Sequence, residues 1–341
     1  MIAALIAGLS GPKLTPDERA FYRDVKPAGV ILFKRNLTGI DLIKPLIQDV
    51  RDAIGREDVL VLIDQEGGRV QRLKAPAASD LPAGAVYGEM YANDRDAAMQ
   101  AAFKIARLTA AELRAYGINT NCAPVLDVPV ADAHDVIGDR AYGRNPEQVS
   151  AVGRAVAGGY LAGGVVPVIK HIPGHGRATS DSHFSLPVVT ATHAVLSRSD
   201  FMPFKALNDL PAAMTAHVTY AALDPNYPAS ISHKVTKEII RGEIGFQGLL
   251  MSDDLSMKAL KGSLRSRAEA VLGAGSDVAL HCNGDLSEMR SAAEGVAALA
   301  GLALKRYEMA VAVTKTAEPF DVNEAKGHLK RLMAKGETPA V

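Results

Sequence analysis

The sequence contains few of the residues on which several classes of protein depend. Its two cysteines, Cys122 and Cys282, lie far apart and outside any CxxC or CxxH spacing, so neither a disulfide framework nor a structural zinc site is expected. No apolar run approaches the ~20 residues that span a bilayer. The 38 basic and 38 acidic residues cancel, which argues against binding to nucleic acid or to a membrane surface, because both need a basic excess.

The remaining composition is that of a large folded protein. Of the 341 residues, 48% are hydrophobic and 22% are charged, which permits an extensive core and excludes disorder. The apolar start Met1–Leu9 lacks the basic residues of a signal peptide and is ended early by Gly11 and Pro12. We therefore expect a buried first strand and a protein of the reducing cytoplasm.

Short apolar runs recur along the chain, separated by polar loops and by stretches with helical periodicity. The runs are Ala3–Leu9, Gly29–Phe33, Val59–Asp64, Ile118–Pro124, Val165–His171, Ala212–His217, Gly248–Asp253 and Ser276–His281. The amphipathic segments include Leu42–Ile54, Arg95–Tyr116, Pro146–Gly163, Asp200–Leu207, Lys234–Ile244 and Ser266–Ala274. Because the runs do not alternate with a two-residue period, they indicate strands buried on both faces, as in parallel sheets.

This alternation of strands and helices predicts an α/β fold. We expect a single (β/α)8 TIM-type barrel with extended βα loops over residues 1–341, rather than an open sheet. Residues from about 302 to 341 are expected to form terminal helices. The two longest connections, Gln65–Asp94 and Ile172–His193, are then βα loops above the barrel mouth.

Polar residues occupy equivalent positions in five of these runs. Asp64, His171, His217, Asp253 and His281 each end an otherwise apolar run. One such residue is usually structural, but five at the carboxyl ends of barrel strands point to the face where active sites of this fold lie. The sequence therefore indicates an enzyme.

A loop rich in histidine follows the fifth run. Lys170, His171, His175, Asp181 and His183 occur within 14 residues, in a segment broken by proline and glycine. A carboxylate two residues from an imidazole can fix its tautomer and raise its pKa, which suits a general acid/base. The alternative is a metal site made of His171, His175 and His183, although no carboxylate-rich second motif accompanies it.

Two further segments carry acidic residues after a strand. In Gly248–Met257, either Asp253 is a catalytic carboxylate or the Asp253–Asp254 pair caps backbone N–H groups, and both roles can hold at once. In Ile63–Arg72, Asp64 ends the strand and a glycine pair allows close approach of a ligand. That pair is not a phosphate loop, because no GK[ST] or GxGxxG pattern accompanies it.

Four motifs together resemble glycoside hydrolase family 3. They are KHIPGHG…DSH in Lys170–His183, SDDLSM in Ser252–Met257, IDQEGGRVQRL in Ile63–Leu73 and IGDRAYG in Ile137–Gly143. Within the family, the chain is similar to bacterial β-N-acetylhexosaminidases of the NagZ type, which act in peptidoglycan recycling. The similarity runs from about residue 1 to about residue 300. The chain departs from the family pattern at Ile172, where phenylalanine is usual. We also expect it to lack the second domain of many members.

The resemblance implies a role for each matching residue. It makes Asp253 the nucleophile and His183 the general acid/base, assisted by Asp181, in a retaining exo-β-N-acetylglucosaminidase acting on cytoplasmic muropeptides. It implies no cofactor or metal, a sugar as the small-molecule partner, and a monomer. The residues that would bind the sugar are Asp64, Arg72, Arg140, Lys170 and His171.

Other functions stay open on the residues alone. A β-glucosidase or a glycoside phosphorylase would use the same fold, and a metal-dependent amidohydrolase would use the histidine cluster. An inactive sugar-binding module is disfavoured, because it would have no need of the whole catalytic set. With no tryptophan, 8 phenylalanines and 9 tyrosines, we expect a pocket for one terminal sugar rather than a long aromatic cleft.

Overall fold

A computed structural model describes residues 1–182 and 185–336 of the chain. The strands in these ranges are β1 (Ala3–Gly8), β2 (Pro27–Leu32), β3 (Leu60–Ile63), β4 (Gln65–Gly67), β5 (Val70–Gln71), β6 (Thr120–Asn121), β7 (Val166–Ile172), β8 (Val188–Val189), β9 (Ala212–Thr215), β10 (Thr219–Tyr220), β11 (Leu249–Asp254) and β12 (Val278–His281). Eight of these described strands close into a barrel in the order β1-β2-β3-β6-β7-β9-β11-β12. All neighbouring pairs are parallel, and each barrel strand overlaps one of the predicted runs. The expected (β/α)8 fold is confirmed.

Helices surround the barrel. In the described ranges they are α1 (Pro16–Val25), α2 (Ile40–Ile54), α3 (Gly84–Asn93), α4 (Arg95–Tyr116), α5 (Pro146–Ala162), α6 (His193–Arg198), α7 (Met202–Ala206), α8 (Leu264–Gly273), α9 (Leu286–Glu294), α10 (Gly301–Val313) and α11 (Val322–Gly336). The segment Val235–Glu243 is a π-helix, within the predicted Lys234–Ile244. None of the described helices is long and apolar enough to cross a membrane.

Some helices have sequence signals other than amphipathicity. Helix α1, which the periodicity did not predict, begins with a capping box in which Thr15 and Glu18 satisfy each other's backbone N–H groups. Such a box satisfies two of the four unpaired N–H groups of a helix start. The segment Thr15–Glu18 was therefore a usable signal.

Side chains alternate between the barrel interior and the layer under the helices. Leu62, Val168, Met251 and Leu280 belong to the interior cluster, whereas neighbouring residues such as Ile63 pack against the helices. Successive strand residues point to opposite faces. A polar residue two positions beyond an interior apolar residue is therefore directed towards the barrel axis.

The strand β6 is short because asparagine side chains replace part of its ladder. The Asn119 amide accepts from the N–H of Val61 at 2.7 Å and donates to the carbonyl of Val59 at 2.9 Å. The Asn121 amide bonds both the N–H and the carbonyl of Gln65 at 2.9 Å. These bonds fix the start of the loop that follows β3, which carries part of the candidate site.

Two small sheets lie in the βα loops, one within the loop after β3 and one that joins the loop after β7 to the loop after β9. Strands β4 and β5 form an antiparallel pair, and strands β8 and β10 form a parallel pair. The sequence periodicity gave no sign of these two-residue and three-residue strands. They order the loops around the barrel mouth.

Candidate active site

A cavity of about 490 Å3 opens at the carboxyl ends of the barrel strands. Ile31, Met214 and Leu280 contribute apolar side chains to its lining. Six of the predicted site residues line it as well, namely Asp64, Arg72, Arg140, Lys170, His171 and Asp253. Residues far apart in the chain thus converge on one space of the size usual for small-ligand sites.

Lys170 is the centre of a buried ionic cluster in this cavity. Its Nζ lies 2.9 Å from Asp64 Oδ1 and 2.6 Å from Glu66 Oε1, and only 3% of its side chain is exposed. Burial alone would lower the pKa of Lys170, but the two carboxylates outweigh that effect and raise it. Lys170 is therefore a fixed cation.

Two arginines complete the cluster. Arg72 Nη2 donates to Asp64 Oδ2 at 2.9 Å, and Arg140 forms a two-bond fork with Glu66 at 2.8 and 2.9 Å. Burial raises the pKa of both carboxyl groups, but Lys170 and the arginines outweigh it and lower both pKa values. Such paired groups are held in place before a ligand arrives, so they can bind polar groups of a ligand without rearranging.

Glu66 is a site residue that the sequence interpretation missed. It bonds both Lys170 and Arg140 and is 6% exposed. The sequence did contain a signal for Glu66, because it lies two residues after Asp64 in an extended segment. That spacing places both carboxylates on the same side of the chain.

His171 is oriented by a second residue that was missed, Asp127. The fully buried Asp127 carboxylate lies 2.7 Å from His171 Nδ1 and accepts the backbone N–H of His175 at 2.6 Å. Burial raises the pKa of Asp127, but His171 outweighs this effect and the resulting pKa is about 2. The contact leaves Nε2 of His171 as the nitrogen for a ligand. Asp127 comes shortly after the predicted run Ile118–Pro124, which was its only sequence signal.

The acidic pair at the end of β11 divides into two roles. Asp254 accepts the backbone N–H groups of Ser256 and Cys282, both at 3.0 Å, which caps the following turn and ties it to β12. Both Asp253 and Asp254 line the cavity, but both carboxylate oxygens of Asp254 are engaged, Oδ1 by these N–H groups and Oδ2 by the Ser256 hydroxyl. Asp253 Oδ1 accepts the N–H of Asp254 at 2.8 Å. Asp253 is therefore the carboxylate of the pair that suits chemistry.

Two strand-end histidines belong to the wall rather than to the cavity. His217 bonds Ser230 Oγ at 2.6 Å and the carbonyl of Asp254 at 3.0 Å, and burial lowers its pKa. His281 is fully buried and lies 3.5 Å from Glu288 on α9. Neither side chain lines the cavity formed by the described residues. All five strand-end residues thus lie at carboxyl ends of barrel strands as expected, but of the five only Asp64, His171 and Asp253 line the described cavity.

The predicted acid/base pair is only partly described. Asp181 is half-buried, and its carbonyl accepts the N–H of Ser185 at 3.1 Å. His183 lies outside the described residues, so its role stays a prediction. Across residues 1–182 and 185–336, no group of three or more His, Cys, Asp or Glu side chains is placed to hold a metal. The alternative metal set of His171, His175 and His183 includes the residue that is not described.

Known proteins are similar to this chain in sequence and in architecture. The family model "Glycosyl hydrolase family 3 N terminal domain" matches residues 4–315. A beta-hexosaminidase of Bordetella avium (strain 197N) is 39% identical over 283 residues, which cover 82% of this chain and 80% of that protein. One from Methylococcus capsulatus is 41% identical over 279 residues, covering 81% of each chain.

Solved structures agree with these relatives. NagZ from Neisseria gonorrhoeae, in complex with N-trifluoroacetyl-D-glucosamine, superposes with a TM-score of 0.86 and 32% identity over 96% of this chain and 97% of that one. A family 3 beta-N-acetylglucosaminidase from Paenibacillus sp. str. FPU-7 gives a TM-score of 0.84 at 28% identity, covering 97% of this chain and 67% of that one. The family model, the relatives and the barrel together show that this protein belongs to glycoside hydrolase family 3 and is a glycoside hydrolase.

Proposed function

We propose that this hydrolase is a retaining exo-β-N-acetylglucosaminidase. It removes terminal β-linked N-acetylglucosamine from cytoplasmic muropeptides of the GlcNAc-1,6-anhydro-MurNAc type. The observation that carries the proposal is the shared cavity, in which Asp253 and the ion-paired cluster around Lys170 line one space of about 490 Å3. The names of the similar proteins, and the glucosamine derivative bound to the gonococcal NagZ, support the choice of sugar.

The proposed reaction has two displacements. Asp253 attacks the anomeric carbon while His183 protonates the departing glycosidic oxygen, which gives a covalent glycosyl-enzyme and the free aglycone. His183 then accepts a proton from water as the water attacks the same carbon, and Asp253 leaves as a carboxylate. Each displacement inverts the carbon, so the sugar is released in its original β configuration.

The remaining residues bind the sugar. Asp64 accepts hydrogen bonds from hydroxyl groups, while Lys170, Arg72 and Arg140 supply donors already fixed by their carboxylate partners. His171, held by Asp127, offers Nε2. Contacts of this kind raise the rate when they strengthen in the transition state.

The proposal also covers the domain structure, location, oligomeric state and partners of the protein. Residues 1–341 are taken as one catalytic domain that works as a cytoplasmic monomer without a cofactor, and without nucleic acid or membrane as partner. The family match over residues 4–315 and the balanced charge support this view.

The decisive experiment compares two chromogenic substrates, an aryl N-acetyl-β-glucosaminide and the matching β-glucoside. We expect a strong preference for the N-acetyl sugar and no gain in turnover when phosphate is added. Proton NMR during early turnover should show the β product first, and a 2-fluoro sugar with a good leaving group should label Asp253. An α product would mean an inverting mechanism, and phosphate-dependent turnover would make the enzyme a phosphorylase.

The amidohydrolase alternative has its own test. Prolonged treatment with a chelator should leave glycosidase turnover unchanged if no metal takes part. Loss of activity that returns with added metal would favour a metal-dependent enzyme instead.

A further inference from the structure

The turn that follows Lys170 is anchored firmly to the barrel wall. Asp127 accepts the backbone N–H of His171 at 3.2 Å and that of His175 at 2.6 Å. Tyr220 donates its hydroxyl to the carbonyl of Gly174 at 2.6 Å. Gly174 has φ +137°, and a Cβ there would lie 3.0 Å from Asp200, so the turn has little freedom. These contacts with the turn consequently fix the position of the His175 ring.

Among the described residues, the His175 ring makes one hydrogen bond, to a residue seven positions later in the chain. Its Nε2 lies 3.2 Å from Ser182 Oγ, while its buried Nδ1 has no hydrogen-bond partner in the described ranges. Burial and the neighbouring His171 lower the pKa of His175 to about 4, so the ring is neutral near pH 7 with a single N–H. Placing that proton on Nε2 leaves no ring N–H without an acceptor, and Nε2–H then donates to Ser182 Oγ.

Ser182 is more deeply buried than Asp181 before it and Ser185 after it. Its exposed fraction is 2%, whereas Asp181 is half-buried and Ser185 is exposed. Both Ser182 and His175 line the cavity. The described part of this segment is therefore buried in the cavity wall at Ser182, directly after Asp181, the residue assigned to assist the acid/base.

We propose that the hydrogen bond between His175 and Ser182 holds in position the segment that carries the acid/base residues. His175 and Ser182 are then positioning residues. The inference rests on the proposed roles of Asp181 and His183. It explains why a histidine that is buried and bonded to no other described side chain occupies the cavity wall. Without this bond, the acid/base segment would lose a side-chain link between Ser182 and the anchored turn.

The test compares Ser182→Ala with Ser185→Ala, which removes the same hydroxyl from an exposed position of the same segment. We expect Ser182→Ala to lower kcat for N,N′-diacetylchitobiose by roughly 3- to 10-fold, the size of one neutral hydrogen bond. An activated nitrophenyl glycoside, which needs little protonation, should change less than 2-fold by the same reasoning. KM should stay unchanged, and Ser185→Ala should behave as wild type on both substrates.

A double-mutant cycle tests whether His175 and Ser182 act through the same contact. If His175→Leu and Ser182→Ala act through one contact, the double variant should be no worse than the poorer single variant. Additive losses, or equal losses of Ser182→Ala on both substrates, would overturn the inference. His183→Ala is measured in parallel. If it discriminates between the substrates while Ser182→Ala does not, the inference fails and the proposed function stands; if His183→Ala does not discriminate, the proposed acid itself is wrong.

Discussion

Replacing Glu66 with glutamine tests the buried ionic cluster directly. Glu66 bonds Lys170 at 2.6 Å and both Nε and Nη2 of Arg140 at 2.8 and 2.9 Å. Glutamine has almost the same shape, but it carries no charge and turns one acceptor into a donor. That donor meets an N–H of Arg140 or the ammonium group of Lys170. Lys170 then keeps Asp64 as a bonded carboxylate, whereas the carboxylates that still act on Arg140 are those of Asp127 and Asp64.

The magnitude follows from the burial of the three groups. The side chains of Lys170, Glu66 and Arg140 are 3%, 6% and 12% exposed. Removing one partner of a buried pair typically costs about 3–5 kcal/mol, and the retained amide oxygen reduces this, so we expect a loss of about 2–4 kcal/mol in the free energy of unfolding. Displacement of Lys170 and Arg140 should also lower kcat/KM by roughly 10- to 100-fold, or about 1.4–2.7 kcal/mol of transition-state binding.

The assay is urea denaturation together with kcat/KM on an aryl N-acetyl-β-glucosaminide. The matched control is Asp209→Asn, because Asp209 forms the same two-bond fork with Arg154 on the surface, at 2.6 and 2.9 Å. With side chains 43% and 64% exposed, this pair should contribute less than about 1 kcal/mol. If Glu66→Gln and Asp209→Asn had equally small effects, Glu66 would not be what holds the cluster together.

Further predictions concern the catalytic groups and pH. Asp253→Ala should fold normally and lose activity by several orders of magnitude, as followed by circular dichroism and turnover; near wild-type kcat would move the nucleophile to another carboxylate. His183→Ala should reduce kcat/KM far more for a natural disaccharide than for a nitrophenyl glycoside, with Asp181→Ala milder; equal losses would refute the acid role. The pKa of His175 is lowered from 6.5 to about 4, so the unfolded chain binds more protons between these values and stability falls as the pH falls. Unfolding free energies at pH 7 and 4.5 should show a His175 contribution of about 2–3 kcal/mol that His175→Gln removes; an unchanged pH dependence in that variant would contradict it.

The order of strands and much of the site were readable from the sequence. Runs buried on both faces and lacking a two-residue period require a parallel sheet covered by helices, and eight of them indicate closure. Alternation also places particular residues, because Asp64, Lys170 and Asp253 lie two positions after the interior residues Leu62, Val168 and Met251. Family motifs added the expected chemistry of each position.

The tertiary structure decided which polar residues act together. Lys170 and Asp64 are 106 positions apart, Arg140 and Glu66 are 74 apart, and His171 and Asp127 are 44 apart. Local periodicity carries no information on such pairs, because each depends on which strand ends the closed barrel brings side by side.

The strand-end residues His217 and His281 show the same limit. Leu280 points into the barrel, so the next residue, His281, points outward to the helix layer near Glu288. His217 lies beyond the last residue of β9, Thr215, and its contacts with Ser230 and Asp254 fix it in the wall. The sequence by itself determined the barrel and the residues at the ends of its strands, because hydrophobic burial is local in its pattern. Only the closed barrel decided which of those residues share the cavity, because that depends on long-range packing and on the direction of each side chain.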